Sequence, residues 1–251
     1  MIYNKSNMEY LQNVVEYYDE LYPVSDMQKS FYENLKQTFQ KPVRFLQIGC
    51  GTGAFEHVLS KDGSDVTGLE ISKELIEAAN LRRRTQLSAI RFFQLSTLDM
   101  TRFLGKGFYN VISCLNSRIL FIHDQTLLRK FFYDSHTLLT ENGILVLELF
   151  NFHSVSAHSK IDFPNRQSIR VKMTTTLSPT VDNTLMSLTE KVETGNGRIL
   201  PVMQDEAVYP LTKEEIEAFG REAGYQEFTF YSGYDKKEYS PSGADLVAVL
   251  R

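Results

Sequence analysis

A chain of 251 residues is long enough for one large α/β domain or two small ones. Hydrophobic residues make up 42%, and the 14 glycines raise this to about 48% apolar, inside the globular norm of roughly 45–50%, which excludes a disordered chain. The 27 basic and 31 acidic residues leave a net charge of −4 with no long single-sign block, so the basic face of a nucleic-acid groove is not favoured.

Apolar residues at helical intervals predict two N-terminal helices, at 6–22 (Leu11, Val14, Val15, Tyr18, Leu21) and 26–40 (Phe31, Leu35, Phe39), separated at Pro23. The short apolar run 43–48, with Pro42 before it and glycines after it, predicts a buried strand. Strand-like runs then recur at 65–70, 89–95, 108–114 and 143–150, separated by helical periods at 52–61, 72–83, 97–104 and 124–140. Such alternation predicts an α/β fold with a parallel sheet and helices on both faces. Past Phe150 the alternation stops: Thr-rich runs of period two at 170–177 and 185–192, joined by the turn 178–183, predict an antiparallel insertion. A helix is expected at 212–223, with Thr212 as N-cap, Glu215 closing a capping box and Gly224 as stop. Two strands, 225–232 and 244–250, end the chain.

Two cysteines, Cys50 and Cys114, are too few for a disulfide framework, and their apolar surroundings predict free thiols and a reducing, cytoplasmic address. The polar N-terminus has no secretory pattern, and the apolar run 144–150 is far below membrane-spanning length, so neither targeting nor membrane insertion is expected. The five histidines (57, 123, 136, 153, 158) show no metal-ligand spacing, and no metal site is expected.

The segment Gly49-Cys50-Gly51-Thr52-Gly53 joins a predicted buried strand to a predicted helix, where glycines let backbone turn tightly and approach a ligand. Gly49, Gly51 and Ala54 satisfy the looser dinucleotide fingerprint, and Glu70 closes the second strand 21 residues after Gly49, where a ribose-binding acid belongs. This pattern alone does not separate NAD from other adenosyl ligands.

The same residues resemble the class I S-adenosylmethionine-dependent methyltransferase family. Residues 43–53 are similar to its first motif and 66–72 to its second strand with the ribose-binding acid. Residues 108–114 resemble its fourth strand, 138–146 the turn into its fifth, and 17–22 a segment of its small-molecule members; only 151–209 lie outside a recognisable pattern. The resemblance implies a Rossmann-like, doubly wound sheet of seven strands, mostly parallel with the last antiparallel, and S-adenosylmethionine as cofactor. It implies that Gly49, Cys50, Gly51 and Gly53 pack on the methionine end, Glu70 takes the ribose hydroxyls, Ile71 lies against adenine, and Cys114 and Leu115 close the fourth strand beside the sulfonium. Two positions depart from the family pattern. Gln47 stands where an acid is usual, and Ser96, followed by Thr97 and Leu98, stands where an acid would meet the adenine amine, with Asp99 as the competing candidate. Tyr18 is placed beside the cofactor as well.

In-line methyl transfer needs proximity and alignment more than proton shuttling, so a base is optional. Candidates are Glu148, Tyr18, Tyr22, His123 and His153. Glu148 interrupts the apolar run 144–150, and a carboxylate in a buried strand must find a partner or shift its pKa. Cys114 is not expected to act as a nucleophile, since no histidine lies near it in sequence.

Together these readings predict one domain over 1–251: an N-terminal helical cap (1–42), a cofactor-binding core (43–150 and 210–251), and a β-rich insertion (151–209) serving as lid or dimerisation element. The expected reaction is methyl transfer to an N or O atom of a small-molecule acceptor. The rivals are an NAD(P)-dependent oxidoreductase, against which no Tyr-x-x-x-Lys helix is present, and a cofactor-binding protein without catalysis. A homodimer through the insertion is a further expectation.

Overall fold

The computed structural model describes residues 12–84, 89–152, 160–181 and 184–251. Residues 6–11 of the first expected helix, the turn residues Asp182 and Asn183, and His153 and His158 lie outside the described residues.

The chain begins with α1 (Gln12–Val15) and α2 (Tyr18–Leu21), two single turns where one continuous helix was expected, then α3 (Asp26–Lys36). The Ser25 side chain caps α3 by accepting from the Gln28 N–H at 3.1 Å, and the helix buries Phe31, Tyr32 and Leu35 before stopping at Lys36, short of its expected end. Next come β1 (Arg44–Ile48), α4 (Ala54–Leu59), β2 (Asp65–Glu70), α5 (Lys73–Arg84), β3 (Ile90–Gln94), α6 (Met100–Phe103), β4 (Tyr109–Cys114), α7 (Gln125–Leu138) and β5 (Leu139–Phe150). The expected helix at 97–104 is a 3₁₀ turn, Thr97–Asp99, running into the four-residue α6. β5 starts at Leu139 rather than 143: Leu139 pairs with Tyr109, then the register slips so that Ile144 faces Val111, with Asn142 at φ 63° in the slip.

The insertion contributes β6 (Ile161–Asp162), β7 (Arg166–Gln167), β8 (Val171–Pro179), β9 (Met186–Thr194) and β10 (Ile199–Val208). The chain closes with α8 (Lys213–Ala223), β11 (Phe228–Tyr231) and β12 (Asp245–Leu250). Both halves of the α8 capping box form: the Thr212 hydroxyl accepts from the Glu215 N–H, the Glu215 carboxylate accepts from the Thr212 N–H, and Gly224 ends the helix at φ 110°.

The main sheet has seven strands in the order β11-β12-β5-β4-β1-β2-β3. Strands β1 to β5 pair in parallel and β12 lies antiparallel between β5 and β11, so the fold is the mostly parallel, doubly wound α/β sheet with an antiparallel last strand. β1 has β2 on one side and β4 on the other, so consecutive crossovers diverge beyond its carboxyl end, where such sheets bind ligands. Phe45, Leu46 and Ile48 of β1 are buried, each worth about 1.5–3 kcal/mol of transfer free energy. One face of the sheet packs on α3, α4 and α5 through Phe31, Phe55, Leu59 and Ile76. The other packs on α7 and α8, and its core runs on into the insertion through Met173, Leu177, Leu188 and Val202.

The second sheet, order β10-β9-β8-β6 with β7 also on β8, is antiparallel. Hydrogen bonds tie it to the N-terminal turns and to the segment after β4: Asn13 Nδ2 donates to the Pro201 carbonyl at 2.8 Å, Ser168 Oγ to Glu20 at 2.6 Å, and the Tyr209 N–H to the Leu120 carbonyl at 2.7 Å. Among the described residues no helix is long and apolar enough to cross a membrane.

Candidate active site

The glycine loop follows β1. The N–H groups of Gly49 and Cys50 both donate to the Leu69 carbonyl at 2.8 and 2.9 Å, which ties the loop to the end of β2. At Gly51, φ 56°, a Cβ would lie 2.4 Å from the Tyr18 ring, so any other residue there is strained and displaces that ring. At Gly49, φ 73°, a Cβ would lie 2.8 Å from Cγ of Arg118, so the loop is bare on the side where Tyr18 and Arg118 approach. The buried Glu70 carboxylate accepts three backbone N–H groups, from Gly51 at 3.1 Å, Ile71 at 2.8 Å and Ser72 at 3.0 Å, and so joins the glycine loop to the β2 turn.

A cavity of about 290 Å³ opens beside this loop. Gln47, Gly49, Cys50, Tyr18, Tyr22, Leu115 and Glu148, all singled out in the sequence, line it. Gly51, Gly53, Glu70, Ile71, Ser96, Thr97, Leu98, Cys114 and His123 are not on its wall. Ser96 caps the 3₁₀ turn by accepting from the Leu98 N–H at 3.3 Å, the Leu98 carbonyl accepts from Lys130 at 2.9 Å, and the rival Asp99 pairs with Arg102 at 3.2 Å. His123 precedes the α7 cap, where Asp124 accepts from the Leu127 N–H at 3.0 Å. Burial pushes the Cys114 thiol up to about 12 and the Cys50 thiol well above its ordinary value, so neither is a thiolate nucleophile at neutral pH.

Glu148, at the carboxyl end of β5, faces the cavity. One of its oxygens accepts the Asn116 N–H, while its own carbonyl accepts the Ser117 N–H at 2.9 Å. Asn116 and Ser117 hold left-handed φ values of 52° and 59°, which non-glycine residues adopt at a cost on the order of 1–2 kcal/mol each. Glu148 thus pins the turn after β4 that carries Arg118. Burial raises its pKa against the opposing pull of Arg166 and the Asn116 N–H.

Several site residues escaped the sequence reading. Arg166, from β7, lies over the Tyr22 ring at 4.3 Å, and Tyr22 stacks on Tyr18 with ring centroids 4.7 Å apart. Burial acts against the Arg166 charge, but Tyr22, Glu148 and Glu190 outweigh it and raise its pKa. Arg118 is buried, 3.4 Å from the Tyr18 hydroxyl. It follows polar Asn116 and Ser117 and precedes the apolar run 119–122, so no contrast with its neighbours marked it as Glu148 was marked. Glu56, Asn116 and Tyr234 also lie on the wall. Nothing in the sequence near Arg166 or Glu56 sets them apart.

A larger cavity, about 950 Å³, lies at the other end of the sheet beside Arg44, Asn110 and Leu139, where parallel strands begin rather than end. It is remote from the glycine loop.

Residues 39–214 match the family profile described as the methyltransferase domain. The chain belongs to this family, as a class I S-adenosylmethionine-dependent methyltransferase. A protein of Geobacillus sp. (strain WCH70) named as a methyltransferase is 30% identical over 142 residues, 55% of each chain, so the present chain matches about half the length of that relative. The glycine/sarcosine N-methyltransferase of Aphanothece halophytica is 26% identical over 239 residues, 91% of this chain and 84% of that one. In fold, the chain is similar to the S-adenosylmethionine-dependent methyltransferase of Clostridium acetobutylicum, with a TM-score of 0.76, 16% identity and 95% and 97% of the two chains covered.

The residues present fit this cofactor. Two buried polar atoms on the cavity beside the glycine loop, Gln47 Nε2 and Glu56 Oε2, have no hydrogen-bond partner among the described residues. When bound, S-adenosylmethionine supplies an electrophilic methyl carbon on a sulfonium.

Proposed function

We propose that this methyltransferase acts on an N or O atom of a small polar acceptor held between the glycine loop, the Tyr18 and Tyr22 rings, and the Glu148 and Arg166 side chains. The observation that carries this reading is the cavity: about 290 Å³, next to the glycine loop, and polar at its far wall through Glu148, Asn116 and Arg166. Its size suits a small molecule rather than a macromolecular segment, and the insertion roofs it through Arg166.

In this reading Gln47, Gly49, Cys50, Gly51 and Gly53 hold the methionine end of the cofactor and Glu70 its ribose. Ile71 with Ser96, Thr97 and Leu98 flank adenine, and Cys114, Leu115 and Tyr18 border the reacting methyl. Glu148 anchors the acceptor through its second oxygen and takes the proton that the acceptor nitrogen or oxygen loses as its bond to carbon forms. Arg166 opposes the burial that raises the Glu148 pKa. The name of the Aphanothece relative, which specifies small amines, supports a nitrogen acceptor. The insertion folds back on α1 and α2 of its own chain, which supports the lid role over dimerisation.

Thermal shifts with S-adenosylhomocysteine, NAD and NADP, each at about 100 times its Kd, test the class: binding adds about 2.7 kcal/mol. Only S-adenosylhomocysteine should act. Transfer of labelled methyl from S-adenosylmethionine to a panel of small amines and hydroxy compounds then tests the acceptor. Labelling of protein or nucleic acid with no labelled small molecule would overturn the proposal.

A further inference from the structure

Glu56 is the least explained charged group near the cavity. It stands on α4, one turn past the glycine loop, and is 2% exposed. Among the described residues its Oε2 has no hydrogen-bond partner, and the Nε2 of Gln47, 3% exposed on the same cavity wall, has none either. Leaving a buried polar atom unmet costs about 1–3 kcal/mol, so two on one wall mark a place built for a ligand with complementary groups.

Each packed element brings a group toward Glu56. Arg82 of α5 attracts its charge but pairs with Asp19 of α2; Asp19 and Glu70 of β2 repel it, and the Cys50 thiol and the Tyr32 hydroxyl of α3 complete its surroundings. Among the described residues no cation is hydrogen-bonded to Glu56 Oε2. The amino-acid end of S-adenosylmethionine carries one ammonium and one carboxylate; the wall offers one acid and one N–H donor. Gln47 is neutral, so β1 contributes no negative charge there.

We propose that Glu56 is the anionic half of the cofactor subsite: its carboxylate pairs with the α-ammonium of the cofactor while Gln47 Nε2 donates to the cofactor carboxylate. This rests on the reading above, in which the glycine-loop side of the cavity, with Gln47, takes the methionine end of the cofactor and the Glu148 and Arg166 side takes the acceptor. It assigns the charge missing from β1 to the following helix. Burial pushes the Glu56 carboxyl up to about 8, so at neutral pH the free protein holds it protonated, and pairing with an ammonium expels that proton to solvent.

Calorimetric titration of the whole chain with S-adenosylhomocysteine, in phosphate and in Tris at pH 7, counts the protons released. With the carboxyl at about 8, roughly nine-tenths of a proton should leave per ligand bound at pH 7, falling toward zero at pH 9. Glu56→Gln should abolish the release and weaken binding about tenfold or more, the scale of a lost charge-assisted bond. Gln47→Glu in the Glu56→Gln background should recover affinity by returning an acid to the wall. The wild-type proton count needs no variant, and thermal unfolding checks that each variant folds. Tight wild-type binding without proton release, or undiminished affinity in Glu56→Gln, overturns the assignment of Glu56 alone. No binding by the wild-type chain overturns the cofactor site and this inference with it.

Discussion

Glu56→Gln makes a second, independent prediction about the free protein. An acid whose folded pKa lies at about 8, against an ordinary 4.5, contributes stability that is fully present below 4.5 and is lost as pH rises toward 8. Between those limits the unfolded chain gives up the proton and the folded chain retains it. At about 1.36 kcal/mol per pH unit, the loss is on the order of 3 kcal/mol at pH 7 and approaches 5 kcal/mol above pH 8. Glutamine has nearly the same shape and no proton to lose, so the variant avoids this loss. Calorimetric melts at pH 5, 6, 7 and 8 should show the two proteins nearly level at pH 5, with the variant pulling ahead steadily. At 2–4 °C per kcal/mol for a chain of this size, the gap at pH 7 is about 6–12 °C. A gap that does not change with pH, or a wild type more stable throughout, would refute the account of Glu56 as a buried neutral acid. The variant would thus be more stable and bind cofactor less well, the usual exchange at a site that keeps an unmet group for its ligand.

Glu148→Gln keeps an oxygen for the Asn116 N–H but cannot take a proton, so methyl transfer should fall by about 10²-fold or more while S-adenosylhomocysteine affinity stays within about twofold; equal losses in both would show that the residue only shapes the pocket. Gly51→Ala forces a Cβ into the Tyr18 ring at a left-handed φ and should cost about 2 kcal/mol or more, read as a lower melting temperature. Because the clash is with that ring, Tyr18→Ala should return part of the loss in the double variant, and strict additivity would exclude this cause. Thr212→Ala removes the hydroxyl that caps α8 and should lower stability by about 1 kcal/mol, measured in urea, without changing cofactor affinity.

Much of the architecture is legible along the chain because its causes are local. The β1 run is apolar at successive positions since both its faces are covered, and the capping box at Thr212 and Glu215 joins neighbours three residues apart. Glu70 could be placed at the end of β2 from spacing alone, although its three bonds to backbone N–H groups could not. Where local signals conflict, the reading slipped. β10 contains Pro201, and its register with β9 breaks on both sides of Met203, so its period of two is interrupted. The N-terminal helix splits because Glu16 and Tyr17 form a turn between α1 and α2 while the insertion holds Asn13, Glu16 and Glu20 from outside.

The candidate site divides along the same line. The glycine loop, Glu70 and the odd polar residue in β5 announce themselves through residue type, spacing and contrast with their neighbours. Arg166 and Glu56 do not, because each lies on an ordinary polar or amphipathic segment. What brings them to the cavity is the folding of β7 over Tyr22 and the packing of α4 against β2. Burial, and the shifts in proton affinity and unmet hydrogen bonds that follow from it, are properties of surroundings assembled from distant parts of the chain, and no local pattern encodes them.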